Sequence, residues 1–457
     1  MKANIRHKGK TRVVVIGGGL GGLRLMKALK GCGMQVVLVD KNNYHQFPPL
    51  IYQVASAGLE PSSISFPFRK ILQGREDVYF RMGEVQSIDA SEKVLQTSFG
   101  KLYYDYLVIA AGATTNFFGN DHIAAGALPM KTVMDGMNLR NTILSNMERA
   151  EVETDEETLQ SLLTVAVVGG GPSGVEIAGA LAEMKRTIAP RDYPDIDTSK
   201  IRIVLVNSDV RLLKSMDEAS SVRAERDLRE MGVEVMARTR VADYRDGVLH
   251  MEDGSTLAAK TVIWVAGVRA NRIASTPEMT LGAGGRIVTD TCLRVKGMND
   301  VFAIGDVSIV DGDQDYPHGH PQLAQVAMQQ ADCVAKTIRL RASSKQGAGN
   351  VNDLVFHYKD LGTMATIGRR KAVAEIGRLK FGGNTAWLLW LVVHLRSLLG
   401  VRNKIVVLIN WMWNYFNYRN SLRLIFRNDE KSRDDGRARS GSADAVLRRK
   451  GAGRVRL

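Results

Sequence analysis

Short apolar runs, each followed by glycines and then by a helical pattern, occur twice along the chain. The first run is Val13 to Ile16, and the segment LRLMKALKG after its glycines has apolar residues at helical spacing. The second unit, Val165 to Glu183, repeats this order. A further apolar run follows each unit, Gln35 to Val39 and Ile201 to Asn207. The repetition predicts two βαβ units with parallel strands.

The rest of the pattern predicts elements that complete these units. YLVIAAG from Tyr106 and TVIWVAG from Thr261 resemble each other and predict buried strands that end in Ala-Gly. Residues 137–160 predict a helix followed by a solvated acidic stretch, and Ser308 is expected to cap a helix. Short strands are predicted within 77–105, 233–267, 284–306 and 356–376, and helices within 210–232 and 321–340.

A proline-rich stretch follows the first βαβ unit. It carries Pro48, Pro49 and Pro61 around the apolar piece LIYQVASAG. A long loop inside a compact domain is often functional. A connector lying over the first helix fits the spacing equally well.

The glycines of both turns have the spacing G-x-G-x-x-G, at Gly17, Gly19 and Gly22 and again at Gly169, Gly171 and Gly174. The first glycine permits the tight turn, the second lets the backbone approach a pyrophosphate, and the third lets the helix pack on the strand. The phosphate then faces the unpaired N–H groups at the helix N-terminus. A purely structural βα turn is the alternative.

Asp40 ends the second strand of the first unit, where a carboxylate binds the hydroxyls of a ribose. Two dinucleotide sites in one chain usually mean one bound flavin and one exchanging nicotinamide. Ala111 and Gly112 end a strand with small residues that let the backbone lie against a cofactor, and Asp306 follows another strand where a ribityl chain would lie. Ala-Gly ending a strand, and Asp306 capping a helix, are the structural alternatives.

Composition and charge add only a few constraints on the number of domains and on the kinds of partner and site. The 457 residues suffice for two or three domains, and the formal net charge of +14 favours an anionic partner such as nucleic acid or an acidic membrane surface. The three cysteines, Cys32, Cys292 and Cys333, lie far apart without C-x-x-C or metal-ligand spacing, so we expect neither a dithiol site nor a metal. No signal peptide is predicted.

The most apolar stretch, Ala386 to Phe416, is interrupted by basic residues and is too broken to span a bilayer. Four of the five tryptophans lie in it, interleaved with arginines, and aromatic and basic residues favour the lipid–water interface. We expect two amphipathic helices, bent at Gly400, that lie on a membrane. A buried pair of core or dimer helices is the alternative. From Glu430 a basic, low-complexity tail follows.

Taken together, these segments resemble the type II NADH:quinone oxidoreductases, a family of single-subunit flavoproteins. The matching pieces span most of residues 11–425. They are VVVIGGGLGGL, NNYHQFPPLIYQVASAGL, YLVIAAGATTNFFG, VVGGGPSGVEIAGALAE, VFAIGDVS, LAQVAMQQ, LGTMATIGRRKAV and AWLLWLVVHLRSLLGVRNKIVVLINW. The resemblance implies an α/β fold of two Rossmann-like dinucleotide-binding domains followed by C-terminal amphipathic helices that anchor it to a membrane.

The resemblance also implies roles for individual residues. Non-covalent FAD would contact Gly17, Gly19, Gly22, Asp40, Ala111, Gly112 and Asp306, and NADH would contact Gly169, Gly171 and Gly174. Glu176 matches a glutamate near the flavin and the nicotinamide. Gln325 and Gln329 match an AQxAxQ element beside the quinone, although spacing alone would leave such a mid-helix pair solvated. Asn207 departs from the pattern, because an acidic residue would normally hold the NADH ribose there; Arg211 lies four residues on.

We therefore expect an enzyme that oxidises NADH and reduces membrane quinone without pumping protons, on the cytoplasmic face of the cell membrane. A homodimer and an anionic lipid surface are the expected partners, and nucleic acid is not. The predicted domains are 1–160 and 284–378 for FAD, 161–283 for NADH, 379–428 for membrane association and 429–457 for a disordered tail. The alternatives are a sulfide:quinone oxidoreductase, which needs a redox cysteine pair near the flavin, and an NAD(P)H-binding redox sensor whose basic tail binds a partner.

Overall fold

The computed structural model describes residues 5–6, 8–273, 279–343, 353–416 and 423–426, the last turn of the final helix (414–416) by its backbone alone. The predicted basic tail, 429–457, lies outside the described residues. Within them the chain forms two five-stranded parallel sheets flanked by helices, three three-stranded antiparallel sheets, three two-stranded pairs and a C-terminal helix pair.

The first parallel sheet contains the first glycine turn. Its strands are, in spatial order, Val301–Ala303, Tyr106–Ile109, Arg12–Ile16, Gln35–Asp40 and Val78–Met82. All neighbouring strands are parallel. Their apolar residues are almost fully buried because helices cover the sheet, among them Leu20–Ala28, which packs on Ala324–Ser343.

The second parallel sheet repeats the first in strand order. Its strands are Leu128–Pro129, Thr261–Trp264, Thr164–Val168, Arg202–Val206 and Val233–Met236. The glycine-turn strand is central in both sheets, with the second strand of its βαβ unit on one side and the Ala-Gly strand on the other. The predicted internal repeat is therefore confirmed.

Six smaller sheets, five of them antiparallel, complete the described strands. The three-stranded sheets are Val85–Asp89, Val94–Thr97 and Gly100–Tyr103; Val241–Arg245, Val248–Met251 and Thr256–Ala258; and Thr363–Gly368, Lys371–Ile376 and Leu379–Gly382. The two-stranded pairs are Ala113–Thr115 with Val268–Ala270, Tyr44–Gln46 with Ser65–Pro67, and the parallel pair Ile287–Thr289 with Ser308–Val310. The first of these pairs joins the two dinucleotide domains.

The remaining elements are helices. The α-helices not yet given are Ile51–Ala55, Phe68–Ile71, Asp121–Gly126, Val133–Ala150, Glu156–Leu163, Pro172–Thr187, Ala189–Asp192, Glu218–Glu230, Gly383–Ser397 and Val401–Phe416. Short 3₁₀ helices occur at Pro48–Leu50, Pro61–Ser63, Thr198–Lys200, Ala283–Gly285 and Gly305–Val307. We call the last two α-helices the foot and the rest of the described chain the body.

The foot has the predicted form of two helices that meet at a bend. Gly400 lies at the bend with φ +76°, and a Cβ there would lie 2.4 Å from the Phe66 ring, so only glycine fits. The first foot helix begins at Gly383, shortly before the apolar stretch that starts at Ala386. Within the described part of the chain, no helix combines the length and the apolar content needed to cross a bilayer.

Two local predictions are wrong. Ser308 does not cap a helix, because it begins a strand that pairs with Ile287–Thr289. The acidic stretch after Val133–Ala150 is partly helical, since Asp155 caps the helix Glu156–Leu163 by accepting a bond from Thr158 N. The short strands predicted within 77–105 are confirmed: Val85–Asp89, Val94–Thr97 and Gly100–Tyr103 form an antiparallel meander, whereas Val78–Met82 joins the parallel sheet.

The proline-rich stretch is neither an open loop nor a cover for the first helix. Its apolar piece forms the buried helix Ile51–Ala55, which packs against Val133–Ala150 and Pro172–Thr187. This short helix therefore lies between the second glycine-turn helix and the foot. The helix predicted over 210–232 is shorter than expected, Glu218–Glu230, and the one predicted over 321–340 lies at Ala324–Ser343.

Candidate active site

The first glycine turn lies at the carboxyl edge of its sheet, together with the other segments predicted to hold FAD. Gly17 N donates to Val39 O at 2.8 Å, Ala110 N donates to Ile16 O at 2.8 Å, and Ile304 N donates to Ile109 O at 2.9 Å. These bonds align four adjacent strand ends. In such sheets ligands bind outside the carboxyl ends of the strands.

Each glycine of this turn has the environment that its predicted role requires. Gly17 has φ +96°, and a Cβ on it would lie 2.3 Å from Ala110 O. A Cβ on Gly22 would lie 1.9 Å from Gly17 O, so the helix packs directly on the turn. Gly19 faces open space and precedes the helix without a side-chain cap. The first N–H groups of that helix are thus left for an anion.

Asp40 is held in place by the backbone and keeps acceptor capacity for a ribose. One oxygen accepts Gly18 N at 2.7 Å and the other accepts Asn42 N at 2.7 Å. Burial raises the pKa of this carboxyl, while the two N–H donors act in the opposite direction. Each oxygen has a further lone pair, so the residues at this edge fit FAD.

Other residues at this edge come from distant parts of the chain. Lys131 Nζ lies 3.3 Å from the Asp306 carboxylate, Asn271 donates to Ala111 O at 2.8 Å, and Gln330 accepts Gly305 N at 2.7 Å. Sequence reasoning missed all three. Lys131 and Asn271 have no motif around them, whereas Gln330, directly after Gln329, had a neighbouring signal.

The second glycine turn has the same construction. Gly169 has φ +119°, and a Cβ on Gly174 would lie 1.8 Å from Gly169 O. Gly171 faces open space and precedes the helix Pro172–Thr187. Asn207 accepts Gly170 N at 3.2 Å, in the place that Asp40 occupies in the first site.

A large cleft opens at this second turn. We call it the nicotinamide cleft. Besides the glycines and Asn207 it is lined by Phe117, Ser208, Asp209, Arg211, Lys214, Arg240, Glu252 and Trp264. Its volume of about 940 Å³ accommodates a dinucleotide.

Glu176 lies one turn into the helix that follows this glycine motif, and it faces a second space. This junction cavity, of about 150 Å³, lies between the body and the foot and is lined by Tyr52, Glu183, Thr366, Trp390 and Trp411, among others. Burial among these groups raises the pKa of Glu176 to about 8. The backbone N–H of Thr366 and the indole of Trp390 oppose this rise, although the buried Trp390 N–H makes no hydrogen bond of normal geometry.

Aromatic side chains fix the foot against the body around this cavity. Trp411 Nε1 donates to Gln53 Oε1 at 2.8 Å, and Gln53 donates to the Tyr52 hydroxyl at 2.8 Å. Trp390 stacks on His394 with ring centroids 4.1 Å apart. Burial lowers the pKa of His394 to about 4, so this imidazole is neutral at pH 7.

Gln325 and Gln329 are half-buried, and each hydrogen-bonds to the backbone of the segment before Thr363–Gly368. Gln325 accepts Leu361 N at 2.9 Å and donates to Gly362 O at 3.1 Å. Gln329 accepts Lys359 N at 3.0 Å and donates to Lys359 O at 2.8 Å. Because Thr366 lies beside Glu176, the strand itself connects the glutamine pair to the junction cavity.

Comparison with protein families matches two parts of the chain. Residues 11–331 match the pyridine nucleotide-disulphide oxidoreductase family, and residues 361–420 match the NDH2 C-terminal domain. The second match covers the C-terminal sheet and the foot.

Known proteins with similar sequences agree with this. The chain is 37% identical to type II NADH:quinone oxidoreductase Ndh of Mycobacterium tuberculosis, over 89% of each chain. It is 36% identical to NdhA of the same organism, over 88% of this chain and 87% of that protein.

Solved structures support the fold. NDH2 from Plasmodium falciparum in complex with NADH aligns with a TM-score of 0.82 at 20% identity, over 92% of this chain and 100% of that one. The sulfide:quinone oxidoreductase of Aquifex aeolicus aligns with a TM-score of 0.68 at 18% identity, over 90% and 96%. From the family matches and the sequence identity, the chain belongs to the type II NADH:quinone oxidoreductase family.

Proposed function

We propose that this protein oxidises NADH in the nicotinamide cleft and reduces a quinone at the junction cavity. The observation that carries the proposal is the placement of Glu176. It lies on the helix that begins at the second glycine turn, and its carboxyl faces the space between body and foot. One helix therefore connects the nucleotide site to the cavity.

The two glycine turns have separate tasks in this scheme. The turn at Gly17 and the carboxylate of Asp40 hold the pyrophosphate and ribose of FAD, and the turn at Gly169 holds the pyrophosphate of NADH. FAD, when bound, supplies a carrier that takes two electrons from a nicotinamide and releases them to a quinone. The protein contributes position and electrostatics.

Quinone reduction requires protons as well as electrons, and Glu176 is placed to hold one. With its pKa at about 8, the carboxyl is mostly protonated at pH 7 and can donate to the oxygen of a reduced quinone. Trp390 and Trp411 line the same cavity with apolar surface and exclude water. Burial also raises the pKa of Tyr52, which keeps its hydroxyl neutral beside this carboxyl.

The foot is the surface through which the protein meets a membrane. Val392, Val401, Ile405 and Ile409 are at least half exposed, which is unusual for so many large apolar side chains on two adjacent helices. Arg396 and Arg402 are exposed on the same two helices, as in helices that lie in the interface plane. We infer peripheral attachment to the cytoplasmic face of the cell membrane; a homodimer and a contact of the tail with anionic lipid stay predictions.

A sulfide:quinone oxidoreductase is the less favoured alternative. Cys292 and Cys333 each donate to the backbone of the segment 353–354, and neither lines the junction cavity or the nicotinamide cleft. Burial raises the pKa of Cys333 to about 11, which disfavours the reactive thiolate.

The decisive experiment measures nucleotide oxidation by the detergent-extracted holoprotein with a short-chain ubiquinone and a menaquinone, and with sulfide as the competing donor. Quinone-dependent NADH oxidation is expected. Quinone reduction by sulfide without NADH oxidation would overturn the proposal in favour of the alternative, and a yellow protein that uses neither donor would leave only the fold.

A further inference from the structure

The ribose end of the nicotinamide cleft lacks the carboxylate that selects NADH. In a Rossmann unit an acidic residue after the second strand binds the ribose hydroxyls and repels a 2′-phosphate. The two units of this chain identify the position: Asp40 accepts Gly18 N, and Asn207 accepts Gly170 N, each directly after the second strand. The first site is thus acidic and the second neutral.

The amide of Asn207 is fixed by the protein itself. Its oxygen accepts Gly170 N at 3.2 Å, and its nitrogen donates to Asp209 O at 3.0 Å and to Arg211 O at 3.1 Å. Both N–H groups of the amide are therefore used, and the residue is only 5% exposed. Asn207 shapes the loop after the strand and carries no negative charge of its own beside the ribose.

The charges around this loop leave one cation without a carboxylate. Lys214 Nζ lies 2.7 Å from the Asp209 carboxylate, and Arg240 Nε lies 3.7 Å from that of Glu252. Arg211 forms no salt bridge with any described residue, although its charge contributes to the lowered pKa of Asp217, and its guanidinium makes one bond, from Nη2 to Lys214 O at 3.3 Å. Its half-buried side chain lines the cleft.

A guanidinium that forms no salt bridge, as in Arg211, beside an uncharged amide such as Asn207, can bind a phosphate monoester. Arginine presents several N–H donors in a planar fork that matches phosphate oxygens. Ser208, exposed between Asn207 and the rest of the loop, adds a hydroxyl donor at the cleft wall. A 2′-phosphate at this end would thus meet hydrogen-bond donors and a positive charge that no salt bridge holds.

We propose that the nicotinamide cleft accepts NADPH as well as NADH. Arg211 binds the 2′-phosphate, and the uncharged Asn207 does not repel it. This inference rests on the proposed function. The redox balance is the same for both nucleotides: the nicotinamide loses one hydride, which supplies two electrons and one proton, and a second proton from the solvent completes the reduction of the quinone. Only the ribose end of the site distinguishes them.

The test compares kcat/KM for NADH and NADPH with the same quinone, and the binding of NAD⁺ and NADP⁺ to the holoprotein by calorimetry. NADPH is expected to reach a kcat/KM within about 100-fold of the NADH value, whereas a site built to reject it would separate them by about 10⁴-fold. A wider gap than 100-fold, together with no measurable binding of NADP⁺, would overturn the inference.

Two variants assign the residues. Asn207→Asp is expected to lower the NADPH to NADH ratio of kcat/KM about 10- to 100-fold, because it restores a repelling charge; Arg211→Ala should lower the ratio similarly. Arg226→Ala, on the exposed face of the helix Glu218–Glu230, is the matched control. An unchanged ratio in Arg211→Ala would remove Arg211 from the site.

The calorimetric measurement of NADP⁺ binding distinguishes a failure of this inference from a failure of the proposed function. If NADP⁺ binds and neither nucleotide is oxidised with quinone, the proposed function fails and the 2′-phosphate site stands. If NADH is oxidised and NADP⁺ does not bind, the function stands and the inference fails.

Discussion

At the scale of single residues, the chemistry depends on how the fold changes the pKa of groups that the sequence had identified. Glu176 follows a glycine motif on an ordinary helix, and in water its carboxyl would be ionised at neutral pH. Burial in the junction cavity raises its pKa to about 8. A motif can thus identify the residue, but its protonation depends on side chains from the foot.

Replacing Glu176 by Gln should slow quinone-dependent turnover about 10- to 100-fold while flavin stays bound, because an amide cannot donate the proton. The wild-type rate should decline above about pH 8, where the carboxyl ionises, and this limb should be absent in the variant. Steady-state kinetics between pH 6 and 9.5 measure both effects. Glu157→Gln, at an exposed position, is the control.

The stability of the protein provides a second readout for the same residue. Because the folded pKa lies above the ordinary value of 4.5, the native state keeps a proton between about pH 4.5 and pH 8 that the unfolded chain releases. This group therefore makes the wild type less stable as the pH rises through that window, and Glu176→Gln should reduce the slope. If the wild type and Glu176→Gln have the same pH profile of turnover and the same pH profile of melting temperature, Glu176 has no part in the mechanism.

At the scale of elements, the glutamine pair hydrogen-bonds to the segment that precedes a strand, and its match to a family motif did not predict these bonds. Gln325 and Gln329 use both ends of their amides on the backbone of residues 359–362. This segment leads into Thr363–Gly368, which passes Glu176. The predicted contact of the pair with a quinone stays a prediction.

Gln329→Ala should lower the free energy of unfolding by about 1–2 kcal/mol, because Lys359 N and Lys359 O lose their partner. Thermal and urea unfolding of the holoprotein measure this. Gln73→Ala, at an exposed glutamine, should have no effect. Lost activity with unchanged stability would instead support a direct contact with substrate or cofactor.

Ile409→Glu should weaken the binding of the protein to phosphatidylcholine vesicles about 10-fold or more, because the side chain is 56% exposed on the foot and a charge opposes burial in lipid. Vesicle flotation measures the binding, and NADH oxidation with a water-soluble quinone should persist. Val222→Glu, 60% exposed on a body helix, is the matched control. Equal flotation of both variants would contradict the assignment of the foot as the lipid-facing surface.

At the scale of the whole molecule, the C-terminal sheet packs on the second dinucleotide domain, although its leading segment is held by the helix of the first. A Cβ on Gly179 would lie 1.6 Å from Ile367 O, so Pro172–Thr187 and Thr363–Gly368 meet backbone to backbone. Their sequence neighbours Ala180, Thr366 and Gly368 line the junction cavity, so this contact fixes part of its wall.

Gly179→Ala should therefore destabilise the protein by about 2 kcal/mol or more, because a backbone carbonyl cannot move aside as a flexible side chain would. It should also reduce quinone-dependent turnover more than NAD⁺ binding, which involves the other end of the helix. Arg186→Ala, exposed near the C-terminal end of the same helix, is the control. Calorimetric unfolding and nucleotide titration are the measurements, and wild-type behaviour of Gly179→Ala would show that the two elements separate freely.

By itself the sequence determined the local features. The glycine spacing, the apolar strands, the internal repeat and the bend at Gly400 follow from backbone sterics and from periodicity, which act over a few residues. These features were sufficient to predict two dinucleotide sites and a pair of amphipathic helices.

Only the tertiary structure decided how distant groups combine. It brought Trp390 and Trp411 against Tyr52 and Glu176, paired Lys131 with Asp306, and made Ser308 begin a strand instead of capping a helix. Such contacts depend on burial and on partners distant in the sequence, from 21 positions for Ile287 and Ser308 to 358 for Gln53 and Trp411, and no local pattern encodes them. The glycines therefore indicate which kind of molecule binds, whereas packing decides which side chains are protonated, charged or free to meet it.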